Sequence, residues 1–341
     1  MELKRVLSGM RPTGKLHIGH YFGALVNWLK MQREFDCFFF IADWHALTSD
    51  YADTSRVKEY TLDLAMDWLA CGLDPVRATL FVQSHIPEHA ELNLLLGMVT
   101  PLGWLYRVPS YKEQRENIKD KDLDTFGFLG YPVLQSADIV MYKANYVPVG
   151  EDQVAHVELT REIVRRFNNF YPLPEGRAVF PEPEAYLTPT PRLPGLDGRK
   201  MSKSYGNAIL LSEPEADMRK KIATMMTDPA RARRADKGNP ELCPVFDYHK
   251  VVSTPEVMAW ADQGCRTAGI GCLECKRAMA DGLMQVLRPI QERRRQYEEQ
   301  PRRAWQVLEE GDQRARRVAG ATMDDVREAT HLTPSRPGPG A

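Results

Sequence analysis

Two short stretches of the sequence carry residues that could handle a nucleotide phosphate, and the first is residues 8–20. It follows an apolar run with a turn rich in Gly and Pro and contains His17, Gly19 and His20. A helix predicted to begin near Gly19 would present free N–H groups and a positive dipole end, which attract phosphate. His17 and His20 stand three residues apart, so both can face one ligand. The stretch is not a Walker loop, and alone it also fits a turn with two surface histidines.

The second stretch is residues 200–204, Lys-Met-Ser-Lys-Ser, which follows Gly195 and Gly198. Two lysines on a loop flanked by Gly suit a mobile clamp for a triphosphate, because they would neutralise charge as pyrophosphate leaves. A solvated basic loop is the alternative interpretation of this stretch by itself.

Four of the six cysteines crowd into 33 residues: Cys243, Cys265, Cys272 and Cys275. A chain with no secretory signal is expected to keep its thiols reduced, so the group favours a metal site over disulfides. Four thiolates ending in a CxxC pair can close a tetrahedral site. Spacing alone does not separate zinc from an iron–sulfur cluster, and free, scattered cysteines remain the alternative.

The elements that would position these residues alternate between strand and helix in the first half. Apolar runs predict buried strands at residues 5–7, 37–42, 78–82 and 146–149, with helical spacing between them. This alternation predicts an α/β fold, a Rossmann-like doubly wound parallel sheet followed by an all-helical C-terminal domain. The predicted division is a catalytic domain at 1–206 with an insertion near 105–126, a helical domain at 207–330, and a disordered tail at 331–341. The Pro and Gly residues between 172 and 198 mark the boundary region.

The composition is that of a globular protein, with 43% hydrophobic and 27% charged residues. The 45 Lys and Arg nearly cancel the 46 Asp and Glu, which argues against a nucleic-acid binder of histone type. No apolar run is long enough for a transmembrane helix, so we expect no membrane partner and a cytoplasmic location. Arginines in the last helices, from Arg293 to Arg317, make that region locally basic. They fit either contacts to RNA phosphates or a solvated helix face.

Taken together, in this order and on these elements, the two phosphate-handling stretches resemble the HIGH and KMSKS signatures of class I aminoacyl-tRNA synthetases. Residues 131–139 (YPVLQSADI) and 147–161 (VPVGEDQVAHVELTR) resemble the tryptophanyl members, which differ from the tyrosyl members around residues 150–153. The resemblance covers the chain from Val6 to about Val318. It implies that the protein activates L-tryptophan with ATP and Mg²⁺ and transfers it to tRNA(Trp). It also implies a homodimer joined through the catalytic domains.

The resemblance also assigns roles to residues. The catalytic residues would be His17, His20, Lys200 and Lys203. ATP would be bound by Arg11, Pro12, Thr13, Gly19, His20, Gly150, Glu151, Asp152, Leu193, Lys200, Met201, Ser202, Lys203 and Ser204. Tryptophan would be bound by Tyr131, Asp138, Val147, Val149 and Gln153, with Asp138 accepting the indole N–H. Indole offers one donor and no acceptor, so its pocket needs an acceptor.

The four cysteines resemble the branch of this family that carries an iron–sulfur (4Fe-4S) cluster near the anticodon, with Zn²⁺ as the alternative occupant. Arg11 and Gln135 depart from many bacterial members, which have Gln and Met there, and they change the detail of the pocket. Two other functions stay open from the sequence: a tyrosyl-tRNA synthetase, and a paralogue that no longer charges tRNA and serves as a binding or regulatory protein.

Overall fold

A parallel sheet of five strands forms the centre of the protein. The computed structural model describes residues 3–108, 111, 121–188 and 193–332. The strands are β1 (Arg5–Met10), β2 (Asp36–Ile41), β3 (Ala78–Val82), β4 (Tyr146–Val149) and β5 (Glu184–Leu187). Their order across the sheet is β3-β2-β1-β4-β5, and every neighbouring pair is parallel. The doubly wound fold predicted from the alternation of strand and helix is therefore confirmed.

Helices cover the sheet and form the second half of the chain. Those in the described residues are α1 (Ile18–His20), α2 (Val26–Met31), α3 (Asp43–Asp50), α4 (Val57–Cys71), α5 (Glu88–Val99), α6 (Leu102–Leu105), α7 (Phe126–Met141), α8 (Val154–Phe170), α9 (Glu215–Thr224), α10 (Pro244–Val252), α11 (Pro255–Arg266), α12 (Cys272–Glu299) and α13 (Pro301–Ala329). A π-helical stretch, Tyr21–Leu25, joins α1 to α2. In the described part of the chain, no helix is both long and apolar enough to cross a membrane.

The core lies on both faces of the sheet, because β2 and β3 are buried along nearly their whole length. One apolar cluster joins β1 and β2 to α4 and α12, and the other joins the opposite face to α7, α8 and α13. The two long C-terminal helices thus share the core of the sheet. Strand β3, at the edge of the sheet, is covered by α13, so its free backbone groups do not meet solvent as an open edge.

The structure differs from the sequence prediction in two places. Strand β5 lies inside the stretch 172–198, where clustered Pro and Gly predicted only a boundary. The apolar spacing in the sequence predicts a helix over Pro301–Val318, whereas α13 continues to Ala329. Half of the predicted insertion near 105–126 and most of the predicted disordered tail at 331–341 lie outside the described residues.

Candidate active site

A cavity of about 450 Å³ opens at the carboxyl ends of β1 and β4. The strand order reverses between these two strands, and in open parallel sheets such a reversal leaves a crevice outside the strand ends. The volume suits a small ligand such as an amino acid or part of a nucleotide. The predicted binding residues that line it are Arg11, Tyr131, Asp138, Val147, Val149, Gly150 and Gln153.

The two predicted histidines lie side by side at the first helical turn after β1. The backbone N–H of His17 donates to Nδ1 of His20 at 3.2 Å, and the ring centroids are 3.7 Å apart. Burial and the nearby charge of Lys203 lower the pKa of His17 to about 4. Burial, with the charges of His17 and Lys203, lowers the pKa of His20 to about 3. Both rings are therefore neutral at pH 7 and can act as hydrogen-bond donors to a phosphate, but not as cations.

The tertiary fold brings the two signature stretches together although they are about 190 residues apart in the chain. Nζ of Lys203 donates to the carbonyl oxygen of Thr13 at 2.7 Å. Just beyond the lysine loop, Ile209 accepts from the N–H of Ile18 at 3.0 Å. Lys200 is exposed. One lysine is thus docked on the first loop, and the side chain of the other is exposed to solvent.

Gly19 leaves room for the ring of His17. A Cβ at this position would lie 2.9 Å from Nδ1 of His17, which is too close, and 3.6 Å from the sulfur of Met201, which is an ordinary contact. A larger residue would therefore displace the His17 ring.

The remaining predicted nucleotide residues lie on several different loops and turns. Leu193 and Met201 are buried in the same apolar cluster. Pro12 is buried and Thr13 is exposed. Glu151 and Asp152 belong to the turn Glu151–Gln153 after β4, and Ser204 belongs to the turn Lys203–Tyr205. The N–H of Ser202 donates to Oδ1 of Asn207 at 2.8 Å.

Asp138 is the buried carboxylate of the cavity, and three side chains hydrogen-bond to it. His45 Nε2 lies 2.8 Å from Oδ2, and His89 Nδ1 lies 2.6 Å from Oδ1. Gln83 Nε2 donates to both oxygens at 2.8 and 2.9 Å. Burial by itself opposes ionisation of Asp138, but the hydrogen bonds from His45 and His89 outweigh it and lower its pKa. The cavity therefore contains an ionised group that can only accept hydrogen bonds.

Sequence reasoning missed the three partners of Asp138. His45, Gln83 and His89 lie on α3, on the turn after β3 and on α5, and they belong to none of the motifs identified in the sequence. A polar residue directly after a buried parallel strand is the one signal that could have identified Gln83, because such residues face the ligand edge of the sheet.

Comparison with known proteins identifies the family. The family model described as "tRNA synthetases class I (W and Y)" matches residues 2–288. The chain is 55% identical to the tryptophan–tRNA ligase of Thermotoga maritima, covering 96% of this chain and 99% of that protein. It is 44% identical to the tryptophan–tRNA ligase of Deinococcus radiodurans, with 96% and 98% covered. The chain belongs to the class I tRNA synthetases of the W and Y type.

Solved structures of this synthetase family share the fold. The tryptophanyl-tRNA synthetase of Campylobacter jejuni complexed with ADP and tryptophan superposes with a TM-score of 0.85 at 32% identity, covering 96% of this chain and 100% of that one. The tyrosyl-tRNA synthetase of Archaeoglobus fulgidus, complexed with L-tyrosine, matches with a TM-score of 0.66 at 23% identity, covering 86% and 90%. The second likeness concerns the fold alone.

The four clustered cysteines of this synthetase lie on three neighbouring helices of the second half. Cys243 precedes α10, Cys265 lies in the last turn of α11, and Cys272 and Cys275 occupy the first turn of α12. His249 Nε2 approaches the sulfur of Cys275 at 3.2 Å, and Arg231 Nη1 approaches that of Cys265 at 3.7 Å. Burial, together with the other three thiols, raises the pKa of Cys275 to about 12.

The thiols are thus neighbours, but their arrangement is not that of a formed metal site. Among the described residues, which include all four cysteines, no group of three or more His, Cys, Asp or Glu side chains is placed to hold a metal ion. The iron–sulfur cluster stays a prediction of the sequence. The donor set is compatible with it, because sulfur ligands suit iron–sulfur clusters and zinc alike.

Proposed function

We propose that the protein is a tryptophan–tRNA ligase, which activates L-tryptophan with ATP and transfers it to tRNA(Trp). The observation that carries the proposal is Asp138, a buried carboxylate in the cavity of a chain that matches tryptophan–tRNA ligases over nearly its whole length. An acceptor of this kind suits the indole N–H, the only hydrogen-bonding group of that ring. Tyrosine's hydroxyl both donates and accepts, so it would leave part of its hydrogen-bonding capacity unused here.

The first step joins the tryptophan carboxylate to the α-phosphorus of ATP and releases pyrophosphate. The incoming carboxylate is itself the nucleophile, so the protein contributes positioning and charge stabilisation. His17 and His20 would donate hydrogen bonds to the phosphates, and Lys200 and Lys203 would neutralise the departing pyrophosphate. Mg²⁺ would enter with ATP, whose phosphate oxygens supply most of its ligands. The terminal ribose of tRNA then takes the tryptophanyl group from the adenylate.

The substrate would occupy the cavity with its indole ring at Asp138. Val147 and Val149 give an apolar wall at the end of β4, and each is buried to at least nine tenths of its surface. Tyr131 and Gln153 lie on the same cavity and would bind the amino group of tryptophan. Arg11, which donates to Ser49 Oγ at 3.2 Å, would act near the tryptophan carboxylate or the ATP phosphates. The ribose would lie against Gly150 and Asp152.

Exchange of labelled pyrophosphate into ATP, measured with each amino acid, tests this function. We expect exchange with tryptophan and none with tyrosine. Equal exchange with both would indicate a tyrosyl or unspecific enzyme, and no exchange with any amino acid would indicate a paralogue that does not charge tRNA. Asp138→Asn should weaken tryptophan binding by about 1–3 kcal/mol, because it removes a charged acceptor from a buried site. Normal binding by this variant would contradict the role of Asp138.

We further propose that the helical half, residues 207–330, binds the anticodon region and holds a 4Fe-4S cluster through Cys243, Cys265, Cys272 and Cys275. The support is the convergence of four thiols from three helices in a chain with six cysteines. Such a cluster would act structurally, since it lies on different elements from the cavity. Anaerobically purified protein should then be brown, with about four iron and four sulfide per chain. Colourless protein with one zinc would keep the site and change the metal, and four free thiols would exclude both.

An exposed apolar surface supports the proposed homodimer. Leu94 and Met98 on α5, Leu102 on α6 and Phe126 on α7 are exposed by 58 to 87%. These helices belong to the first half, and apolar side chains grouped on neighbouring elements are typical of protein interfaces. Met98→Glu should shift the sedimentation of the protein toward the monomer. Because charging serves translation, we place the enzyme in the cytoplasm.

A further inference from the structure

The turn that follows β3, Gln83–His85, is tied to three different carboxylates by three consecutive residues. Gln83 Nε2 donates to both oxygens of Asp138 on α7. Ser84 donates to Asp43 on α3, through its N–H at 3.0 Å and through its hydroxyl. His85 Nδ1 lies 2.6 Å from Oδ2 of Asp312 on α13. A turn of three residues is therefore fixed by elements from both halves of the chain.

We propose that this turn is a specificity-determining element for the indole ring, in which Gln83 positions the Asp138 carboxylate and Asp312 positions the turn. The proposal rests on the proposed function, because it assumes that Asp138 accepts the indole N–H. It adds two positioning residues, Gln83 and Asp312, and the second of them lies on α13.

The first step of the argument is the contact between Gln83 and Asp138. Both side chains are buried to 1% exposure or less, and the amide donates to both carboxylate oxygens. Oε1 of Gln83 is buried without a hydrogen-bond partner in the described part of the chain. Leaving a buried oxygen without a hydrogen bond costs free energy. The hydrogen bonds from Nε2 to Asp138 therefore offset this cost and fix the orientation of the Gln83 amide. Gln83 thus fixes the plane of the carboxylate and favours its ionised form.

His89 completes this arrangement from α5. Its Nδ1 meets Oδ1 of Asp138, and its Nε2 meets the Tyr142 hydroxyl at 2.7 Å. An ionised carboxylate only accepts, so Nδ1 of His89 must donate to Asp138. Tyr142 is fully buried, and burial raises its pKa well above the ordinary value, so its hydroxyl keeps its proton. The Asp138 carboxylate therefore receives hydrogen bonds both from α5 and from the turn Gln83–His85.

The second step is the contact between α13 and the turn. Besides pairing with His85, Asp312 accepts the backbone N–H of Val82 at 2.9 Å, directly before Gln83. The Asp312 carboxylate therefore accepts a backbone N–H at the edge of β3 that has no strand partner in the ranges that the structure describes, and it also holds the turn that carries Gln83. Arg316, one turn further along the helix, donates to the carbonyl oxygen of His85 at 2.5 Å. The position of the last helix thus fixes the position of the turn.

The test compares two amino acids that differ only at the group read by Asp138. L-tryptophan carries the indole N–H, and benzothienylalanine has sulfur in its place with nearly the same ring shape. Pyrophosphate exchange gives kcat/KM for each, and their ratio measures recognition of the N–H. Variants Gln83→Met and Asp312→Ala are compared with Asp324→Ala, which removes an exposed carboxylate from the same helix.

We expect Gln83→Met to reduce the preference for tryptophan about 10- to 100-fold, the scale of a lost hydrogen bond to a charged group. Asp312→Ala should reduce it about 3- to 10-fold, since it acts through the turn. In both variants KM for ATP should stay unchanged, and Asp324→Ala should behave as the wild type. Gln83→Asn, which keeps an amide donor, should recover part of the preference.

An unchanged preference in Gln83→Met or Asp312→Ala, even with a lower melting temperature or kcat, would overturn the proposal, because a merely structural role does not distinguish N–H from sulfur. If Gln83→Met does not fold, Gln83→Asn and Asp312→Ala carry the test with the same readout. Two other results would instead contradict the assumptions on which this proposal rests. Wild-type protein without tryptophan exchange would remove the proposed function, and Asp138→Asn with the wild-type preference would remove the role of Asp138.

Discussion

Gly311 and Gly320 lie on the same helix, α13, and we expect replacement by Ala to have opposite effects at the two positions. A Cβ at Gly311 would overlap the carbonyl oxygen of Leu80 on β3 and lie 2.6 Å from its carbonyl carbon. At Gly320 the same atom would meet nothing within 4 Å. Ordinary contacts between carbon atoms are about 3.5–4.0 Å, so Gly311→Ala must push the helix about 1 Å away from the strand.

The size of the effect follows from two contributions. Forcing an extra methyl group into a tight contact costs about 1–3 kcal/mol. Stretching the hydrogen bond from Val82 to Asp312 leaves a buried N–H poorly paired, which costs about 1–3 kcal/mol more. The gain in helix propensity from Gly to Ala, about 1 kcal/mol, is common to both variants and cancels in their difference. Gly311→Ala should therefore be less stable than Gly320→Ala by about 2–6 kcal/mol.

Urea unfolding followed by circular dichroism measures this difference, with the wild type as reference. Gly320→Ala should unfold at the same or a slightly higher urea concentration than the wild type, and Gly311→Ala at a clearly lower one. If the two variants differ by less than about 1 kcal/mol, the helix is not held against the strand edge as closely as the contact between Gly311 and Leu80 requires.

The remaining predictions concern Arg294, the lysine loop and the histidine pair. Arg294→Met should destabilise the protein by about 3–5 kcal/mol in the same unfolding assay, because it leaves Asp63 and Asp67 buried without their cation; a loss below about 1 kcal/mol would contradict this. Lys203→Ala should slow adenylate formation about 10- to 1000-fold in a pre-steady-state assay while tryptophan binding without ATP stays unchanged, and the opposite pattern would exclude the assigned role. The imidazole NMR signals of His17 and His20 should not titrate between about pH 8 and about pH 5, because their folded-state pKa values, about 4 and about 3, are depressed. The same two rings should make stability fall as the pH drops below 6.5, where the unfolded chain takes up their protons first, and the loss should be complete only below the folded-state values.

The sequence by itself determined four of the five strands and the two signature stretches. Runs such as residues 37–42 are apolar without alternation, which predicts strands buried on both faces, and the structure places them in the parallel sheet. The resemblance in His17, His20 and residues 200–204 pointed to the synthetase family, which the comparisons confirm. Such short motifs can be recognised in a sequence because their residues are neighbours in the chain and form one turn or loop.

Tertiary structure decided which polar residues act together. Arg293, Arg294 and Arg295 are consecutive and chemically equal in the sequence, yet in the structure Arg294 is buried between two carboxylates and Arg293 donates to Ala70. These arginines have different environments because only one face of α12 packs against α4. The spacing of charged residues in the sequence does not indicate which face that is.

The surroundings of Asp138 show the same limit. Its hydrogen-bond partners come from three elements that lie up to 93 residues away from it in the chain. Asp312, which holds the turn that carries Gln83, is 174 positions further along the chain than Asp138. Local propensity contains no information on such distances, because these contacts form only after the helices have docked on the sheet. The sequence could therefore propose Asp138 as the acceptor of the indole N–H, and only the fold could show which side chains hold its carboxylate in place.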